Sequence, residues 1–463
     1  MDLGNCARFG AGGACEMVVA ALIRHPESEL IVQSCSRAVG KLSKLPKNAV
    51  AIHHAGDSQV LIDSLVAHRS NELAAYQLCQ TLSIIALGDL DTSTKLGSLG
   101  GCQLVVDTLM LHRGSSKLVN QGFMAVKSLA YLNPGNQQLL RDCGVCPLLL
   151  DLFLDHQLDN SVCQSACWAI NNLSANNATN ATLLSSLGAC ELVVRTLSRF
   201  SSDINLCQYA CSSLYHLTLD SVESCIKCSF SKGADALMAA LTAHRDNPFL
   251  VEHALLTAKH MCCNSIGRHK LGSAGICKEV VGCFPRFDRN KKLILLLLQV
   301  IFSLCLENIE NQIRFIENGA LRMIVLTLHS MIDVENDRPS SQEIEKIKRN
   351  SSGELSTYYI GNVNLSAAFS TKTSVTHDAC LTISALEEGL TEITKRREAD
   401  QAHSIFGALK RITNNFDSSR VVMELAKKHI LIEEEVPKID MTSESPPTPL
   451  QPDVETYQSM ASS

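Results

Sequence analysis

The chain has 463 residues, 46% of them hydrophobic and 19% charged, with one Trp and a formal net charge of −6. That balance lacks the basic footprint of a general nucleic-acid binder, and the longest apolar run, residues 293–302, is far short of the roughly twenty residues a membrane span needs. Neither nucleic acid nor membrane is therefore expected as a partner, and the apolar content suffices for a large core.

Eight glycines, Gly13, Gly56, Gly100, Gly144, Gly188, Gly233, Gly275 and Gly319, recur at separations of 43, 44, 44, 44, 45, 42 and 44 residues. A period of roughly 40 to 47 residues is the length of a two- or three-helix unit that stacks into an α-solenoid. In seven of the eight units the fifth, sixth and ninth residues after the glycine are apolar, as in Val18, Val19 and Leu22 or Val193, Val194 and Leu197. Those positions share one helix face. The unit at Gly233 is off register by about one residue. Some twenty residues further on a second apolar helix follows, for example over 166–173 and 210–217, and is expected to pack antiparallel to the first. The stretches leading into the glycines, such as 136–142, 180–187 and 311–318, each open with Asn, a good helix cap. They predict a short first helix closed by a left-handed glycine.

At this point the chain resembles the armadillo-repeat family, through its 44-residue period, the short helix ending in Gly, and the segment CWAINNLSANNATNATLLSSLGACELVV over 167–194. The resemblance spans residues 5–329 and implies an all-α, right-handed α-solenoid of three-helix repeats, a superhelix that binds other proteins. In this family the last helix of each unit lines a concave groove. Import adaptors of the family carry a Trp and an Asn four residues apart on several groove helices, the rings sandwiching lysine stems and the amides holding an extended peptide. Trp168 and Asn172 match that pair, and equivalent positions elsewhere read Arg37 and Lys41, Met124 and Ser128, and Ser212 and His216. These eight residues are the candidate partner contacts. With one Trp in the chain, tandem aromatic cages cannot be built, so an import adaptor is disfavoured. The basic pair Arg37 and Lys41 favours an acidic partner segment near the N-terminal end.

The twenty cysteines follow the repeat: Cys15, Cys102, Cys146, Cys190 and Cys277 lie two residues after a repeat glycine, and Cys79, Cys167 and Cys211 share a later position. Residues that keep the packing register read as small buried hydrophobes. The C-x-x-C pairs Cys143/Cys146 and Cys225/Cys228 are nearly two units apart, too far to share a metal. His25, His68, His112 and His156 sit twelve residues after the glycine and His244 eleven. Stacked units set such residues about 8 to 10 Å apart, which forbids a common metal and leaves a role at helix ends, where a donor satisfies orphan carbonyls. No metal and no cofactor is expected.

Beyond residue 329 the register fails. Residues 330–376 are polar and read as a flexible insertion, 377–432 as helices that close the array, and 433–463 as a disordered acidic tail in which Ser445 and Thr448 precede proline. Phosphate-cradling glycine loops and hydrolase or zinc-protease motifs are missing, so the chain is not expected to be an enzyme. The expected role is a scaffold or adaptor that binds a partner segment in its groove. The alternatives are a structural subunit of a cytoskeletal or ciliary assembly, with its open N-terminal edge packed on another chain, and a regulatory or exchange-factor subunit acting on a GTPase or kinase. The N-terminus shows no secretory signal, which makes the cytoplasm the expected location, with the nucleus second.

Overall fold

The computed structural model describes residues 3–333, apart from 44, 56, 57 and 89, together with 382, 383, 385, 386 and 389. Among the described residues there is no strand, and the helices fall into triplets. Unit 1 holds α1 (Leu3–Ala11), α2 (Ala14–Arg24) and α3 (Glu29–Leu42), and unit 2 holds α4 (Pro46–Ala55), α5 (Ser58–His68) and α6 (Glu72–Ala86). Unit 3 is α7 (Leu90–Ser98), α8 (Gly101–Leu111) and α9 (Ser116–Ala130), and unit 4 is α10 (Pro134–Asp142), α11 (Val145–Asp155) and α12 (Asn160–Ser174). Unit 5 is α13 (Ala178–Ser186), α14 (Ala189–Arg199) and α15 (Ile204–Thr218), and unit 6 is α16 (Val222–Phe230), α17 (Gly233–Ala243) and α18 (Pro248–Met261). Unit 7 is α19 (Ser265–Ser273), α20 (Ile276–Cys283) and α21 (Lys291–Cys305), and unit 8 opens with α22 (Ile309–Glu317) and α23 (Ala320–Asp333). The chain is thus an all-α solenoid of three-helix units.

Its turns are set by backbone sterics. Gly13, Gly100, Gly144, Gly188, Gly275 and Gly319 hold φ between 78 and 95°, the left-handed region that side chains disfavour. Gly56 lies outside the described residues. In unit 6 the turn residue is Lys232, at φ 66°, and Gly233 is the first residue of α17, which accounts for that unit's one-residue offset.

The first helices begin earlier than the sequence pattern suggests. Asn133, Asn177 and Asn308 are the caps, each accepting a hydrogen bond from the backbone N–H three residues on. Asn136, Asn180 and Asn311, which read as caps in sequence, instead lie inside the helices and are buried. Each bridges two elements of the preceding unit. The Asn136 amide donates to the carbonyls of Ser93 (2.8 Å) and Leu129 (3.1 Å), that of Asn180 to Gln137 (3.2 Å) and Leu173 (2.9 Å), and that of Asn311 to Arg268 (2.9 Å) and Leu304 (3.0 Å). An Asn-x-x-Asn sequence offers two caps, and burial decides which residue caps and which stitches.

The histidine series also joins units. His68, His112, His156 and His244 pair through Nε2 with the carbonyls of Pro26, Arg69, Arg113 and Ser201 at 2.7 to 2.9 Å. The carbonyl in each case belongs to the preceding unit, past the end of its second helix, and not to the helix that carries the histidine. Where unit 5 has Phe200 at this position, Arg199 Nη1 donates to Gln157 O at 2.8 Å and keeps the tie.

One hydrophobic cluster runs from Cys15 in unit 1 to Leu386, so no unit owns its core. All described cysteines are free, and apart from Cys35, Cys143 and Cys263 they are buried. Successive third helices pack on each other far more extensively than successive second helices do. Closer packing on one side bends the row toward that side, which makes α3, α6, α9, α12, α15, α18 and α21 the inner wall. Thr382 Oγ1 donates to Leu298 O of α21 at 3.1 Å, the same tie that Ser213 makes to Cys167 and Thr257 to Cys211. The described residues 382, 383, 385, 386 and 389 therefore stand where the third helix of unit 8 belongs. The insertion expected over 330–376 begins inside α23, which continues through Asp333; its remainder, the rest of 377–432 and the tail lie outside the described residues.

Candidate functional site

The inner wall changes character along its length. Across α9, α12 and α15 there is no acidic residue, and the only charged side chains in those three helices are Lys117 and Lys127. Polar caps fix where these helices start: Ser115 accepts from Leu118 N, Asp159 from Ser161 N and Val162 N, and Asp203 from Asn205 N and Leu206 N. The helix period then brings Trp168 of α12 between Lys127 of α9 and Tyr209 of α15. Trp168 stacks on Tyr209 with centroids 4.1 Å apart and planes 14° from parallel, and Lys127 Nζ lies 3.7 Å from the Trp168 ring centroid. This geometry is favourable for a cation against an aromatic quadrupole.

Lys127 is only 4% exposed, and its ammonium makes no hydrogen bond or ion pair among the described residues. Burial pushes its ammonium down to about 8. A desolvated cation without an anion is a costly arrangement, and the indole face compensates part of that cost.

Toward unit 6 the wall becomes imidazole-rich. Tyr215 stacks on His260 (5.2 Å, 26°), meets His253 edge-on (5.9 Å, 85°) and abuts His216 (4.8 Å). Burial, reinforced by His253 and His260, pushes His216 down to about 4, and its Nδ1 is enclosed without a hydrogen-bond partner. His260 is lowered too, first by burial and then by Lys259, and its Nδ1 contacts Thr218 Oγ1 at 3.1 Å. Both rings are thus held neutral near pH 7, able to stack and to accept a hydrogen bond.

The eight residues expected to contact a partner separate into two groups. Trp168, Met124 and His216 are half-buried on the wall, and Arg37 and Lys41 are exposed. Arg37 and Lys41 border a shallow depression with Phe9, Ala14 and Val18. Asn172, Ser128 and Ser212 are buried instead. Asn172 donates to Lys127 O at 2.9 Å and accepts from Asn171 Nδ2 at 3.1 Å; Ser212 donates to Asn171 Oδ1 at 2.7 Å; Ser128 pairs with Ser83 at 2.7 Å. Their hydrogen-bonding capacity is spent on holding neighbouring wall helices together, so they position the wall without presenting it. Lys127, Tyr209, Tyr215 and His253 were not singled out from the sequence. Tyr209 and His253 lie three residues before the positions equivalent to Trp168, and Lys127 and Tyr215 three residues after them, and those register positions give the signal that finds them.

Among the described residues no group of three or more His, Cys, Asp or Glu is arranged to hold a metal, and no single helix is long and apolar enough to cross a membrane.

A search of curated proteins finds no match. A family model for the armadillo/beta-catenin-like repeat matches residues 133–175, which is unit 4 from its first cap to the end of its wall helix. Among solved structures, an engineered protein is similar over 90% of this chain and 98% of its own, with a TM-score of 0.62 and 15% identity. A chain from work on a phosphorylation switch controlling the interaction between cadherin and beta-catenin is similar over 93% of this chain and 85% of its own, with a TM-score of 0.57 and 14% identity. At such identities the likeness is one of fold. Unit 4 is thus similar to an armadillo/beta-catenin-like repeat, and the chain as a whole shares the fold of armadillo solenoids.

Proposed function

We propose that this chain is a non-catalytic scaffold or adaptor, acting in the cytoplasm, that holds an extended segment of a partner protein along the inner wall of units 3 to 6. The observation that carries this reading is the Lys127–Trp168–Tyr209 stack on a wall whose three central helices contain no acid. Half-buried aromatics offer apolar area at low entropic cost, and an unpaired ammonium beside them favours a partner carrying a carboxylate. The armadillo fold is used for protein binding in the cadherin and beta-catenin system, which supports the class of function and not the partner.

The test is affinity capture with the full chain. Trp168→Ala combined with Tyr209→Ala is expected to reduce recovery of the principal bound protein about tenfold or more, since wall aromatics act as anchors. Met110→Ala, on the exposed face of α8, is expected to leave recovery unchanged. Equal recovery with all three proteins would end the groove reading.

A second reading, a structural subunit, is favoured by the exposed Leu3, Phe9, Met17 and Leu30 of unit 1. It predicts that polar substitution of Phe9 and Met17 abolishes assembly while the wall variant assembles normally.

A further inference from the structure

The inner wall and the sequence that follows it carry opposite charge. Among the inner-wall helices only α3, α6 and α18 hold an acid, and each is engaged: Glu29 accepts from Gln33 (2.8 Å) and Asn71 (2.6 Å), Glu72 from Ser115, and Glu252 pairs with Lys292. Arg37 and Lys41, one turn apart on α3, are exposed and make no hydrogen bond or ion pair among the described residues. Lys127 adds an enclosed positive charge against Trp168. Beyond the array, residues 330–376 hold six acids against five bases, and 377–432 eight of each. Residues 433–463 hold seven acids and one lysine, a formal charge of −6 that equals the charge of the whole chain. That stretch opens with Glu433, Glu434 and Glu435 and continues through PPTPLQP over 446–452. Prolines preset an extended backbone at low entropic cost and suit a surface that offers aromatic rings.

We infer that residues 433–463 lie extended along the inner wall of their own chain, with Glu433, Glu434 and Glu435 against Arg37 and Lys41 and the proline-rich stretch against Met124 and Trp168, so that an acidic partner segment must displace them. This rests on the wall being the partner-binding surface. Charge selects the occupant, since the two nearly neutral stretches before residue 433 offer the exposed cations no net attraction. Length permits it. Seven steps of about 8 to 10 Å, roughly 70 Å at most, separate unit 1 from unit 8. The 47 residues from Leu386, which packs in the common core, to Glu433 reach roughly 150 Å when extended. From Glu434 to Pro449 is 15 residues, about 45 Å of extended chain, against roughly 30 Å for the three steps from unit 1 to unit 4. Exposed ion pairs are individually weak, but a tethered segment meets the wall at an effective concentration in the millimolar range.

The experiment treats an equal mixture of unlabelled and heavy-isotope-labelled full chain with a water-soluble carbodiimide, which joins a carboxylate to an amine it touches, and maps the linked peptides. The expected product joins Lys41 to one of Glu433, Glu434 and Glu435, with both halves carrying the same label at least about tenfold more often than mixed labels, as tethering favours the intrachain contact. The emission of Trp168, the sole Trp, gives a second measurement. It is expected to shift when about 0.5 M sodium chloride screens the contact. Arg37→Glu with Lys41→Glu, exposed substitutions whose folding is checked by thermal melt, are expected to remove that shift, and Glu433→Lys, Glu434→Lys and Glu435→Lys in the same chain to restore it. Mixed-label links in equal amount would assign the contact to a second copy and overturn the inference. Equal linkage to the exposed Lys278 of α20, or an emission that ignores both salt and the substitutions, would overturn it too. Such a failure leaves the wall reading standing, because that reading is judged by recovery with Trp168→Ala and Tyr209→Ala.

Discussion

Units 4 and 6 share a backbone and differ at nearly every position that defines the repeat. Unit 4 has Asn136 stitching the first helices, Gly144 at the left-handed turn, Trp168 and Asn172 on the wall, and Asn176 in a left-handed link. Unit 6 has Ser224, Lys232, Leu256 and His260 at those places, and its link contains Cys263 without a left-handed residue. The family model matches unit 4, where all the regularities coincide. The comparison teaches that stacking geometry is the constraint and residue identity the means. Lys232 adopts the glycine conformation at an energetic cost, and Ser224 keeps a tie to the preceding unit through Ser185 at 2.6 Å.

The largest expected effects come from two bases enclosed in the wall, Lys127 of unit 3 and His216 of unit 5, because their pH windows lie on opposite sides of neutrality. In the folded chain Lys127 titrates at about 8, against an ordinary 10.5. Between those values the unfolded chain binds more protons, so stability rises with pH through that window, by up to about 3 kcal/mol. Lys127→Met should remove the rise when urea unfolding is followed from pH 7 to 10.5. His216 titrates at about 4, against 6.5. The unfolded chain again binds more protons between the two, so stability present above 6.5 is lost as pH falls toward 4, by up to about 3 kcal/mol. His216→Gln should flatten the acid limb and leave the alkaline one. A wild-type profile without slope in either window would remove the distinction between a lysine-aromatic wall and an imidazole wall.

A smaller effect separates the two stitches. Asn136→Ala leaves the carbonyls of Ser93 and Leu129 buried without their donor, and is expected to cost about 2 kcal/mol in chemical denaturation. Ser224→Ala, which breaks hydroxyl pairs with Ser185 and Ser221, is expected to cost about 1 kcal/mol. Equal costs would mean that the asparagine stitch is no stronger than its serine replacement.

Much of the architecture was legible because one steric demand recurs: a glycine every 44 residues, where the backbone turns left-handed, followed by an apolar stripe. The caps were misplaced because Asn133 and Asn136 both satisfy the local pattern, and only burial between units tells them apart. The wall was half legible. Trp168 stands out as the sole Trp, but its partners Lys127 and Tyr209 lie 41 residues away on either side, and nothing in a local pattern predicts that three neighbouring helices bring them together. Asn172 illustrates the converse, since a spacing that suggests a peptide clamp is compatible with an amide spent wholly inside the wall.

The smallest effect tests the turn itself. Lys232 holds φ 66° at the turn position that Gly144 occupies in unit 4 at φ 83°. A β-carbon at such a φ crowds the backbone, at about 1 kcal/mol relative to glycine, while glycine's greater freedom in the unfolded chain offsets part of the gain. Lys232→Gly is therefore expected to stabilise the protein by up to about 1 kcal/mol, read as a higher denaturation midpoint at unchanged slope. The reciprocal Gly144→Lys meets no atom within 4 Å of the added β-carbon, so its cost is conformational and is offset in the same way by the lost freedom of the unfolded chain. It should destabilise by a similar amount. If Lys232→Gly instead lowers the midpoint, Lys232 contributes something beyond tolerating the turn, and unit 6 departs from unit 4 by design of its side chains and not merely by drift from the repeat.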